Sequence, residues 1–150
     1  MPRKPTVSGK PADGTVDACG LFTPELGQGL GVDQLDQSGA NVEAQDRENG
    51  ASSCGRITAA SANRSFNLMV RYKSVDKWVA DLKAAIVLDP RPRTPLALGG
   101  WRDKKITDHS VLAEWTHGGR LYIFVGSDIG SSIDETSFLS VVHQIDAMGS

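Results

Sequence analysis

His109, His117 and His143 are the only histidines in the chain. Histidine is the side chain best suited to exchange a proton near neutral pH or to bind a metal. No two of them stand at the helical spacing that points both rings at one zinc ion. The nearest approach to a serine-nucleophile turn is Gly126-Ser127-Asp128-Ile129-Gly130. A Gly-x-Ser-x-Gly elbow carries its serine third, whereas Ser127 stands second, so it reads as a turn residue ending a strand. Phosphate-loop and dinucleotide fingerprints do not occur. Asp33 and Asp36 offer carboxylates without the ligand spacing of a calcium loop. No metal and no cofactor is expected. An enzyme reading is left with a dispersed hydrolase-type site drawing on Asp128, His109 or His117, which no spacing supports.

Two other groups of residues carry chemistry. Cys19 and Cys54 are the only cysteines, too few for a cysteine-only zinc site or a disulfide-dense mini-protein. They fit one bridge or two unrelated buried thiols. On the loop-entropy model, a bridge closing 35 positions stabilises by about 4 kcal/mol. The second group is a basic segment: Arg91, Arg93, Arg102, Lys104 and Lys105 surround Trp101, with Asp103 the sole acid. Arginine and tryptophan are enriched at binding hot spots, so this segment is a candidate surface for an acidic protein or an anionic cell-envelope polymer. The plainer reading is a solvated, proline-rich connection.

The elements that must position these residues are legible in part. Thr23-Pro24-Glu25 starts a helix with a capping hydroxyl, a proline at the first helical position and a carboxylate at the positive end of the dipole. From Val32 to Gly50 no apolar period is sustained, and the expectation is a solvated segment with at most one short strand near Val42. Phe66, Leu68, Val70 and Tyr72 alternate with Asn67, Met69 and Arg71, the period of a half-buried strand, and a partner strand is expected near Cys54 to Ala60. Ser74 offers a cap for a helix in which Val75, Trp78, Val79, Leu82 and Ile86 form one buried stripe. Pro90, Pro92 and Pro95 end it in an extended connection. Gly118-Gly119 joins two β-rich runs, Ser110 to His117 and Arg120 to Ser127, in a tight hairpin. Leu121 to Val125 is apolar at every position and predicts a central strand covered on both faces. A last helix carries Phe138, Leu139, Val142 and Ile145 on one face.

These elements predict an α+β fold: a mainly antiparallel sheet packed against two or three helices in one domain, residues 18–150. The proline- and glycine-containing residues 1–17 read as a flexible tether. A length of 150 residues suits one core, and 39% hydrophobic with 23% charged residues excludes a disordered chain. Sixteen basic against eighteen acidic side chains give a net charge of −2, which disfavours nucleic acid as a partner. No stretch is apolar enough for a transmembrane segment or a signal peptide. Taken literally that points to the cytoplasm; the tether equally suits a spacer between a membrane anchor and its folded domain.

Asp17-Ala18-Cys19-Gly20-Leu21-Phe22-Thr23-Pro24-Glu25, then Leu30-Gly31 and Ser53-Cys54-Gly55-Arg56, resemble the opening of an actinobacterial lipoprotein family classed as a domain of unknown function. The resemblance implies an exported, lipid-anchored protein with a disulfide between Cys19 and Cys54, and supplies no catalytic residue. The expectation that follows is a non-enzymatic, extracytoplasmic binding or interaction domain. The alternatives are the dispersed hydrolase and an inhibitor or immunity protein for one cognate partner.

Overall fold

The computed structural model describes residues 16–36, 48–58, 63–88, 93–95, 101–103 and 109–149. In chain order these form α1 (Ala18–Leu21), α2 (Pro24–Gly29), β1 (Gln34–Leu35), β2 (Ala51–Ile57), β3 (Arg64–Arg71), α3 (Val75–Leu88), β4 (Arg93–Pro95), β5 (Trp101–Asp103), β6 (Ser110–His117), β7 (Arg120–Asp128) and α4 (Glu135–Gly149). The strands make one sheet in the order β1-β2-β3-β7-β6-β5-β4, every neighbouring pair antiparallel. The α+β expectation holds, with four helices among the described residues where two or three were expected.

Local chemistry fixes several boundaries. The Thr23 hydroxyl accepts the Leu26 amide at 3.3 Å and Pro24 opens α2, as the sequence predicts. Asp17 caps α1, so Cys19 lies within a helix. Val16 is fully buried in the core. The fold therefore reaches two residues into the segment read as tether, because Val16 has an apolar site to fill and Asp17 has free amides to cap. The β6–β7 hairpin turns at Gly118 (φ 61°) and Gly119 (φ 79°), the paired left-handed conformation of a two-residue turn. Pro95 sits on edge strand β4, where a missing amide breaks no ladder.

A short strand, β1 at Gln34–Leu35, precedes β2, and the strand expected near Val42 lies outside the described residues. Two expectations need correction. Ser74 has φ 55°, the left-handed region, and not the extended backbone of an N-cap; it reverses the chain from β3 into α3. The α3 stripe is only half-buried at Val75, Val79 and Leu82, and Trp78 is 40% exposed.

Sheet register explains the core. Cys54, Leu68, Phe124 and Ala113 lie in one row across β2, β3, β7 and β6; Arg56, Phe66, Gly126 and Val111 lie in the next; Ser52, Val70, Tyr122 and Trp115 in a third. All are buried. Against this face pack α1, α2 and α4 through Leu21, Phe22, Leu26, Phe138, Val142 and Ile145. Phe22 meets Phe124 edge-on at 5.0 Å, and Phe138 stacks on Phe124 at 5.4 Å. Phe124 is thus the side chain around which helices and sheet converge.

Candidate functional site

The residues singled out for chemistry fall into separate places. Asp128 ends β7 and accepts Arg64 Nε at 2.7 Å and the amides of Gly130 and Ser131 at 2.8 and 2.7 Å. The Arg64 hydrogen bond, opposed by partial burial and helped by the two amides, holds the Asp128 carboxyl below the usual carboxylate range. Arg64 also donates to the carbonyls of Leu30 and Ser132, so one guanidinium ties the end of α2 to the β7–α4 connection. His109 lies nearby, its Nδ1 2.9 Å from the Ser131 carbonyl while its own carbonyl accepts the Asp128 amide. His117 stands at the other end of the hairpin, about 26 Å away at ~3.3 Å per strand residue. Its Nδ1 lies 2.7 Å from Asp146 Oδ1, which also accepts the Trp115 indole N–H at 3.0 Å. His143 is exposed on α4. His109 and His117 therefore do not converge on one site.

The buried Arg56 is also bound into the fold. Arg56 Nε donates to the Phe22 carbonyl at 2.9 Å, with its guanidinium over the Phe22 ring. Burial lowers its proton affinity, against the pull of Glu25. Burial likewise pushes the Tyr122 hydroxyl up, opposed by Arg120. Among the described residues no group of three or more His, Cys, Asp or Glu could hold a metal.

Cys19 and Cys54 form a disulfide, Cα atoms 5.1 Å apart, joining α1 to the middle of β2. A buried hydrogen bond from the Ala18 amide to Ser52 Oγ at 2.9 Å reinforces the same junction. Such a bridge belongs with an oxidising compartment. Among the described residues no helix is long and apolar enough to cross a membrane.

Of the basic segment, Arg91, Lys104 and Lys105 lie outside the described residues. The backbone of β4 and β5 pairs Arg93 with Asp103, Thr94 with Arg102 and Pro95 with Trp101 at the sheet edge. Trp101 in turn is in register with Glu114 of β6.

The sheet's second face holds the feature that sequence reading missed. Along β7 the residues of this face are Leu121, Ile123, Val125 and Ser127, and they pass from buried through half-buried to exposed. Helix α3 covers the Leu121 end, where Arg71 stacks on Trp78 at 4.1 Å. It leaves the other end open, with Val125 41% exposed although β7 is the middle strand of seven. The expectation of cover on both faces is therefore wrong at Ile123 and Val125: an apolar run shows that a strand is central but not how far a helix reaches across it. Around Val125 lies a hollow of about 140 Å³, lined by Asp36, Gly55, Ser65, Asn67 and Ser127. Gly55 makes room there. A Cβ at Gly55 would stand 3.4 Å from Asn67 Oδ1 and 3.7 Å from Asp36 Oδ2, so these two oxygens flank the gap. Ser65 Oγ and Ser127 Oγ are 3.5 Å apart on the adjoining row.

Two larger grooves are less specific. One, about 380 Å³, lies between Val75 and Val79 of α3 and the hairpin turn. The other, about 480 Å³, lies between α2 and α4, where Gln144 bonds to Ser140 one turn away and Ser137 to Asp134. Those polar groups serve their own helix.

Compared with family models, curated proteins and solved structures, the chain gives no match in any of the three.

Proposed function

We propose that this chain is a non-enzymatic, extracytoplasmic binding domain, carried outside the membrane as a lipoprotein-type protein, and that it binds through the open end of the sheet's second face. The observation that carries the reading is the exposure of Val125 in the middle of a seven-stranded sheet, ringed by Asp36, Asn67, Ser65 and Ser127. An apolar side chain left in water on a central strand, beside polar groups brought together from two strands and a loop, is the arrangement of a small recognition site. The disulfide supports the compartment. The engagement of Asp128, His109 and His117 in bonds that join elements supports binding over hydrolysis.

The test is retention of the purified, oxidised protein on envelope fragments of the producing cell. Wild type is expected to be retained and Val125→Lys to be lost, with unchanged circular dichroism, while a triple Arg93, Arg102 and Lys105 to alanine variant is retained. Loss by the triple variant alone moves the site to the basic segment, and no retention of wild type removes the reading.

A further inference from the structure

We infer that the first turns of α3, residues 75–84, form a cover that lifts from the sheet's second face as one unit, latched by Trp78 on Arg71 and hinged at Ser74. The inference goes beyond the binding reading and stands whatever the face binds. Its first support is the depth of packing. Val75, Val79 and Leu82 are half-buried, and all the residues between them are exposed. A hollow of about 380 Å³ opens between Val75, Val79 and the hairpin turn at Thr116 to Gly119, so two of these three apolar anchors lack close neighbours on that side. Apolar stabilisation follows the area removed from water. These turns are therefore held more weakly than β3 and β7, whose Leu68, Val70, Leu121 and Phe124 are buried.

The latch and the hinge are visible as single residues. Arg71 is fixed in β3: it is buried, and its Nη1 donates to the Asn49 carbonyl at 3.0 Å. Its guanidinium lies 4.1 Å from the centre of the Trp78 ring, where a cation is attracted to the aromatic face. Trp78 is nevertheless 40% exposed, so the contact joins a firm strand to a loosely seated helix. Ser74, with φ 55°, is the only non-glycine residue at positive φ among the described residues. A β-carbon is strained in that region, and the strain is released when the chain reversal relaxes. Lifting also melts these turns, because a helix of 14 residues is marginal in water without a surface to pack on. It leaves Leu121, Met69 and Ile123 open in line with Val125, one apolar strip along β3 and β7. A ligand that needs the whole strip is bound by the lifted population alone.

The experiment is native-state hydrogen exchange of the intact, oxidised chain, followed amide by amide in urea below the unfolding midpoint. The amides of residues 78–84, beginning with Trp78 on the Ser74 carbonyl, are expected to share one opening equilibrium and one urea slope, at a lower free energy than β3 and β7. Trp78→Ala is expected to speed the exchange of that whole set about two- to thirtyfold, the range for one lost cation–π contact, with β3 and β7 unchanged. Trp78→Phe, which keeps an aromatic face, is expected to fall between. Alanine is the better helix former, so turns held only by their own propensity would exchange more slowly in Trp78→Ala. Slower or unchanged exchange overturns the latch. Ser74→Asn, a residue that enters the left-handed region more readily, is expected to slow the set, and exchange no slower than wild type overturns the hinge. Opening of residues 78–84 only together with β3 and β7, or graded fraying with no common urea slope, overturns the cover itself.

Discussion

Asp128 shows at the scale of single residues why the polar groups here read as structural. Its carboxyl is held down chiefly by Arg64, so it stabilises the fold above the ordinary unfolded value of about 3.9 and ceases to do so as the pH falls through its lower folded value. Asp128→Asn is therefore expected to lower the urea midpoint at pH 7, with the deficit shrinking below about pH 3.9. A deficit independent of pH contradicts the assignment. Gly126 makes a second residue-scale case, because a Cβ there would collide with the buried Phe66 ring. Gly126→Ala is expected to cost about 1–3 kcal/mol in chemical denaturation, the range for an overpacked core. Neither contact was legible in the sequence. Arg64 and Asp128 are 64 positions apart, and only the antiparallel pairing of β3 with β7 brings them together. Asn67 and Val125 meet in the same way, which is why spacing motifs pass over the hollow.

Elements whose cause is local were legible. Thr23-Pro24 and Gly118-Gly119 act within a few residues of themselves, and α2 and the hairpin stand where they predict. What failed was coverage. The steps of three and four from Val75 to Ile86 fix a helix with an apolar stripe, but its depth of burial depends on where a crossover from β3 to β4 lies over the sheet. Because neighbouring strands alternate in direction, β3 and β4 run parallel, and α3 is the crossover between them. It packs thinly at Val75, Val79 and Leu82. Its amides are therefore expected to exchange with solvent faster than those of β3 and β7, by hydrogen exchange with mass or resonance detection. Equal protection would mean that α3 is a full partner in the core. In the hairpin, both turn residues have positive φ. Gly119→Val is expected to cost about 1–2 kcal/mol, the penalty of a side chain in that region, whereas Gly118→Asn is tolerated.

Among the described residues, the whole sheet has one thickly covered face and one face half covered. The disulfide pins α1 to the covered side, between two residues whose separation of 35 positions made them a possible pair in sequence without proving it. A Cys19→Ala, Cys54→Ala variant is expected to lose about 4 kcal/mol of stability, from the loop-entropy model, while the sheet's antiparallel order persists. The proposed recognition face is the one away from the bridge. The direct test is an amide chemical-shift map of the oxidised protein in the presence of solubilised envelope fragments of the producing cell. Perturbations centred on Gly55, Asn67, Val125 and Ser127 are the result this account predicts. Perturbations confined to residues 91–105, or to the groove between α2 and α4, would contradict it.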